Sequence, residues 1–311
     1  MKKNILTLSV LISGLFFCSC SSSLQEGAPK DVLGEKVYNK LSTQYRGIGD
    51  FSDGLAMVRA EGYDSCTFIN TKGEEVLPWF VDNMDFKGYK LKSIQNFSNG
   101  LALIRVEITD TTKPSYMNTR YGYINHQGEI AIDCKYYDAE DFVEGFAVVR
   151  TTDEWIYSYI DTKGDTKFDM TFKHAGSFTK DGLATVANNN GEFGYINKNG
   201  EISISFQFED ADDFSEGFAI VETKDEHLKL INTKGETICA LPTKYRYSCV
   251  KDGMLAFKDD DKDTFGYMDT KGNIVLPAIY EDAEDFKDGK AQVELNDKDV
   301  IINKKGEVVE E

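Results

Sequence analysis

The 311 residues hold 53 acidic and 35 basic side chains for a formal charge of −18, with 41% apolar and 12% aromatic residues. So negative a surface repels phosphate backbones and anionic headgroups, which argues against a nucleic-acid partner and confines membrane contact to whatever an N-terminal anchor supplies. There is no CxxC pair and the histidines, His126, His174 and His227, are scattered, so neither a zinc site, a redox pair nor any cofactor is indicated.

In chain order, Lys2 and Lys3 precede an apolar run from Ile5 to Phe17 that ends in small residues and cysteine. About thirteen residues are too few for a membrane-spanning helix, which needs roughly twenty. The layout is that of a removable targeting segment. Cys20 follows the small Ser19 whereas Cys18 follows Phe17, and cleavage sites want a small residue. The segment resembles a lipoprotein signal peptide, which implies removal of residues 1–19 and a lipidated Cys20 as the first mature residue. An ordinary cleaved signal is the alternative. Ser21 after the cysteine resembles lipoproteins sorted to an outer membrane. Residues 20–44, polar and opening with Ser21, Ser22 and Ser23, are expected to be a tether.

From Tyr45 to the C-terminus two landmarks alternate seven times. The first is a large apolar residue, a short polar stretch, Gly and an apolar alternation: FSDGLAMV at Phe51, FSNGLALI at Phe97, FVEGFAVV at Phe142, FTKDGLATV at Phe178, FSEGFAIV at Phe214, VKDGMLAF at Val250 and FKDGKAQV at Phe286. The second is an apolar residue, Asn or Asp, two polar residues and Gly, as in INHQG and IDTKG, and from Gly128 onward these glycines are spaced 36, 36, 35, 37 and 34 residues apart. The stretch after the first landmark, as in Leu183 to Val186, alternates in the manner of a half-buried strand. A second strand, such as Tyr121 to Ile124, runs into the Asn-x-x-Gly hairpin, and a third follows, as at Ile274 to Leu276. Between units recurs an acidic phrase, YYDAEDF, FEDADDF or YEDAEDF, whose Ala and Phe are expected to pack under the next unit. The fold expected is all-β: seven three-stranded repeats of about 36 residues forming one domain over 45–311, stacked because no unit buries its apolar face alone.

The phrases GFAIV, FGYIN, TKGE and YEDAEDF together resemble the WG, or KWG, repeat of bacterial proteins, from Tyr45 to Val309. Where the family has Trp-Gly, this chain has Tyr121-Gly122, Phe193-Gly194 and Phe265-Gly266, with Cys66-Thr67, Tyr157-Ser158 and Leu228-Lys229 as weaker matches. The variable copy number of such arrays implies an open superhelical stack. A seven-bladed β-propeller is the alternative, against which 36 residues is short for four-stranded blades.

No phosphate-binding loop, nucleophile elbow or HExxH occurs. Acidic runs such as Glu209, Asp210, Asp212 and Asp213, or Glu281, Asp282, Glu284 and Asp285, recur with the unit, as solvated face residues do, whereas an active site is a unique constellation. Asp259, Asp261 and Asp263 are spaced like the start of a calcium loop, but Thr264 and Thr270 stand where its Gly and Glu belong. Cys239 and Cys249 are the nearest candidates for a bridge, with free thiols the alternative.

Two insertions interrupt the period, one carrying Trp79, Phe80, Phe86 and Tyr89, the other, around Thr109 to Arg120, carrying Tyr116 and Met117. Extra loop length tends to carry function, so Trp79, Phe80, Tyr89, Tyr116 and Trp155 are the candidate ligand contacts, with capping of the array as the structural alternative. The sequence thus predicts a non-enzymatic, lipid-anchored envelope module that binds a protein partner through its repeat surface. A glycan- or peptidoglycan-binding receptor is the alternative.

Overall fold

The computed structural model of the chain describes residues 25–61, 65–108, 118–152 and 154–310. The chain is nearly all β, its strands antiparallel, and it forms two compact units that part between Phe214 and Ser215, where a single array was expected. Neither unit contains a helix long and apolar enough to cross a membrane among the described residues.

Repeat three shows how one period folds. A short lead strand, Asp138–Ala139, pairs with an opening strand, Phe146–Arg150; this pairs with a middle strand, Tyr157–Asp161, and that with a closing strand, Thr166–Phe172. The expected connecting segment therefore supplies a fourth strand, and 36 residues suffice for four. Repeat six has the same order, from Tyr245–Tyr247 through Met254–Asp259 and Thr264–Asp269 to Ile274–Tyr280. The opening strand is not half-buried as its alternation suggested: Leu183, Ala184, Thr185, Val186 and Ala187 are all buried, because layers cover both faces of the sheet.

Each landmark builds a turn. At Glu144 and Gly145 both φ angles are positive, 54° and 88°, so a two-residue primed turn joins Val143 to Phe146. Its counterparts are linked from repeat to repeat. Asp53 Oδ2 accepts from the N–H of Gly100, and Asn99 Oδ1 from the N–H of Gly145 at 2.8 Å. In the second unit the Glu216 carboxylate accepts from the N–H groups of Asp252 and Gly253, and Asp252 from that of Gly289. In the Asn-x-x-Gly hairpin the side chain caps its own turn: Asn197 Oδ1 accepts from the N–H groups of Asn199 and Glu201 at 2.9 and 3.0 Å.

Aromatic pairs join adjacent repeats. In the first unit Tyr123 meets Phe142, Tyr159 meets Phe178 and Tyr195 meets Phe214, with ring centroids 4.8, 5.3 and 4.7 Å apart. Each tyrosine also donates its hydroxyl, at 2.7 Å, to a backbone carbonyl 17 residues on, that of Glu140, Gly176 or Asp212. In the second unit Tyr267 pairs with Phe286 at 4.7 Å and donates to the Glu284 carbonyl at 2.6 Å.

The glycine after the name-giving aromatic has a steric cause. Between Phe193↔Phe208 and Tyr195↔Ile204 the closing strand bulges over Gly194, and a Cβ there would lie 2.7 Å from the Ile204 carbonyl oxygen. Repeat five carries Lys229 instead, and there the closing strand runs in straight register, Lys229 opposite Ala240 and Leu230 opposite Cys239.

Residues 20–44 are not simply a tether: Gln25–Gly27 pairs with Phe51–Ser52, and two short helices follow, α1 (Pro29–Leu33) and α2 (Glu35–Leu41). Their Leu33 and Leu41 are buried on Phe51, Val58 and Ile69, capping the first sheet.

Gly194→Ala is expected to destabilise the chain by about 1–3 kcal/mol, the usual cost of overpacking. Lys229→Ala, with no bulge above it, should change stability by less than about 0.5 kcal/mol. Urea unfolding of the two variants measures the contrast, and equal midpoints would contradict the steric account.

Candidate functional site

Of the five aromatics singled out by sequence, the four that lie within the described residues do not gather at one place. Phe80 is 2% exposed and lies 6.4 Å from Phe68 and 5.6 Å from Phe86, inside the core between the first two sheets, so it is not a surface contact. The first insertion supplies an apolar seal in place of a full closing strand, and only Phe80–Val81 of it pairs with Ser65–Asn70. Tyr89 is half-buried at the edge of that core. Trp79 is held: its Nε1 donates to Glu75 Oε2 at 3.2 Å, while Tyr45 donates to Oε1 of the same carboxylate at 2.7 Å and its ring lies 6.2 Å from the indole. Tyr116, Met117 and Cys20 lie outside the described residues.

Trp155 is different, being 65% exposed on the loop before the middle strand of repeat three. The Arg150 guanidinium lies over its ring, 4.5 Å from the centroid, and also 5.9 Å from the ring of Tyr137. Arg120, buried at 7% exposure, stacks on Tyr137 at 3.8 Å. Arginine and aromatic thus alternate along the edge of repeats two and three, from a buried end at Arg120 to an open end at Trp155. Such contacts contribute about 0.5–2 kcal/mol each, more where water is excluded, so the row holds the exposed indole in a fixed pose. Counting repeats missed Arg120, Tyr137 and Arg150. Composition at the end of the opening strand gave no signal, since the position of Arg150 is also arginine in repeats one and two, Arg59 and Arg105.

The acidic phrase is not everywhere the solvated face that its recurrence suggested. Glu281, Asp282, Glu284 and Asp285 are exposed, but Asp212 and Asp213 are half-buried against repeat four. Thr185 donates to Asp213 Oδ1 at 2.7 Å. Burial, with the charges of Asp210 and Asp213 beside it, pushes Asp212 up to about 7. The tight approach of Gly176, where a Cβ would stand 3.0 Å from Asp213 Oδ1, explains how the pair comes to be enclosed.

The three spaced aspartates of repeat six do not converge. Asp259 pairs with Lys262 at 3.3 Å and Asp263 with Lys258 at 2.6 Å, while the intervening Asp260 pairs with Arg246. Among the described residues no three His, Cys, Asp or Glu side chains are placed to hold a metal ion. Cys66, Cys134 and Cys239 are free thiols, so Cys239 forms no bridge with Cys249. Burial raises all three, Cys134 to about 12.

An acid whose folded pKa lies above its unfolded value binds its proton more tightly when folded. The stability it confers is therefore full at low pH and is lost as pH rises from the ordinary carboxylate range through about 7. Asp212→Asn, which leaves the backbone carbonyl that Tyr195 uses, should raise the thermal midpoint at pH 8 and have a smaller effect at pH 5. A midpoint lowered at pH 8 would contradict the assignment.

The pattern of the WG containing repeat matches residues 121–155, 157–191, 193–226 and 265–298, each match opening on an aromatic within a middle strand. No curated protein matches the chain in sequence. Among solved structures, BamB from Moraxella catarrhalis aligns over 84% of this chain and 80% of its own at 11% identity and a TM-score of 0.46. The computationally designed Ika8 protein aligns over 86% of each chain at 12% identity and a TM-score of 0.41. A streptogramin B lyase covers 82% of this chain and 91% of its own at 12% identity and a TM-score of 0.35. Likenesses this distant say nothing of ligand or partner. The repeat matches and the landmarks on which they fall do identify the chain: it is a WG repeat-containing protein.

Proposed function

We propose that the chain is a non-enzymatic module of the bacterial cell envelope, held at the outer membrane by a lipid on Cys20, that binds a protein partner through the Arg120, Tyr137, Arg150 and Trp155 edge. The observation that carries this reading is the exposure of Trp155 together with its stacking on Arg150. Trp, Tyr and Arg are the residues on which binding energy concentrates in protein interfaces, and an indole already fixed by its neighbours loses little entropy on binding. The acidic groups that could suggest a hydrolase belong to a phrase that repeats with the fold, and their neighbours are the groups that hold repeats together. The same indole favours a second reading, a glycan or peptidoglycan receptor in which a sugar stacks on Trp155.

A pull-down from envelope extract with the wild-type chain, Trp155→Ala and Trp79→Ala tests the first reading. It expects one defined protein to be lost with Trp155→Ala and retained with Trp79→Ala, both variants remaining folded by circular dichroism. Equal capture by all three would contradict it, and binding of purified envelope polysaccharide that Trp155→Ala abolishes would transfer the site to the glycan reading. The anchor is tested by fractionation: Cys20→Ser should leave the membrane fraction for the soluble one, and unchanged partition would remove the lipid.

A further inference from the structure

The edge that carries Trp155 extends back into the first two repeats. Arg150 ends the opening strand of repeat three, and the same register position holds Arg105 in repeat two and Arg59 in repeat one, opposite Tyr157, Tyr121 and Cys66 of the middle strands. Repeats four to seven carry Ala187, Glu222, Lys258 and Glu294 there, so the fold itself does not call for arginine. All three arginines belong to one compact unit, on sheets packed face to face: Met57, two residues before Arg59, packs on Leu91 of repeat two, and Leu103, two before Arg105, on Phe142 of repeat three. Successive members adjoin. Arg59 borders the same hollow as Ser93, which pairs directly opposite Arg105, while Arg120, next to Tyr121, stacks on the Tyr137 ring that Arg150 also approaches.

The row is not neutralised from within. Arg59 and Arg105 are exposed, and neither guanidinium makes an ion pair or a hydrogen bond among the described residues. Of the neighbouring acids, Glu107 is held by Lys92 at 2.8 Å and Lys90 at 3.8 Å, and Asp82 accepts from Asn83 at 2.7 Å. The exposed Glu61 and Glu154, on the loops beyond, pair with none of the three arginines among the described residues. Unengaged guanidiniums repeated at one register, in a chain of charge −18, are complementary to carboxylates of another molecule, which arginine takes in a two-pronged fork.

Sheets stacked face to face lie about 10 Å apart, so successive arginines offer charge at about that interval. A polyproline II helix has three residues per turn and rises about 3.1 Å per residue, which sets every third side chain on one face about 9 Å apart. Same-face side chains of a β-strand fall closer, about 7 Å apart. Trp155, at the open end of the row, adds an aromatic surface of the kind on which such helices dock. We propose that Arg59, Arg105 and Arg150 together hold an acidic segment of a protein partner, extended as a polyproline II helix with a carboxylate at every third residue. This rests on the reading of the Trp155 edge as a protein-binding edge and names the chemistry of what binds there.

The test follows the fluorescence anisotropy of labelled peptides titrated with the full chain at low ionic strength, where exposed charges are least screened. The peptide EPPEPPE is expected to bind about fivefold more tightly than PPEEEPP, which has the same composition, and KPPKPPK is expected not to bind. Arg59→Gln combined with Arg105→Gln should weaken EPPEPPE about tenfold, which corresponds to about 1.4 kcal/mol, with the fold intact by circular dichroism. Arg246→Gln, at an arginine paired with Asp260 in repeat six, should leave the affinity unchanged. Equal affinity for EPPEPPE and PPEEEPP, a double variant that binds as well as the wild type, or displacement of the peptide by a lower charge concentration of inorganic polyphosphate than of EPPEPPE itself would each overturn the proposal. The pull-down separates it from the reading on which it rests: a partner lost with Trp155→Ala but kept by the double variant sinks the acidic segment alone, whereas a partner kept by both sinks the edge as well.

Discussion

The architecture depends on one contact made over and over, the ring of a middle strand against the landmark ring of the next repeat. A sheet of four strands, two to seven residues long in repeat three, cannot bury both of its faces, so its stability comes from what the neighbouring layer covers. The tyrosine serves twice, since its ring fills the interface and its hydroxyl donates to a backbone carbonyl there. The pair varies at two of the interfaces. Phe68 faces Phe97 at 4.9 Å without a hydroxyl, and in repeat five Leu230 stands in the tyrosine position while the landmark residue of repeat six is Val250, the two packed in one hydrophobic cluster.

The strong acidity of the chain takes on a structural meaning in this light. Asp53, Glu216 and Asp252 accept backbone N–H groups of the next repeat's turn, so some of the carboxylates that a composition count assigns to solubility are acceptors that fix one turn against another. Charge-assisted hydrogen bonds of this sort are roughly twice as strong as neutral ones. Asp212 and Asp213 lie at the other extreme, carboxylates enclosed by the same stacking. Those enclosed acids follow from the repeat geometry, whereas Trp155 departs from it, and departure from the repeat is what marks a residue as free for another role.

Most of the scaffold was legible in the sequence because each landmark has a local cause: a positive-φ turn at Glu144-Gly145, a self-capping Asn197, a bulge that leaves no room for a Cβ at Gly194. The lead strand was missed because Asp138 and Ala139 carry no strand signal of their own; a strand of two residues exists only because Arg150 and Val149 lie opposite. Phe80 was misread because an insertion in a sequence does not reveal on which side of the sheet it folds, and this one turns inward. Alternation in the opening strand misled for a related reason, since small residues such as Ala184 and Thr185 occupy buried positions where two layers approach closely. The arginine and aromatic row was illegible because Arg120 and Trp155 are 35 residues apart and meet only through Tyr137 and Arg150.

The central claim is that adjacent repeats are coupled through these side-chain pairs, and a double-mutant cycle on Tyr195 and Phe214 tests it most directly. Tyr195→Leu and Phe214→Val, singly and together, rebuild the aliphatic pair that occurs naturally at Leu230 and Val250. Urea unfolding should give single-variant losses of about 2–4 kcal/mol, and the double variant should lose less than their sum by about 1 kcal/mol, as expected of residues in contact. Strict additivity would mean that the two rings do not stabilise one another, and the account of the repeat interface would fail.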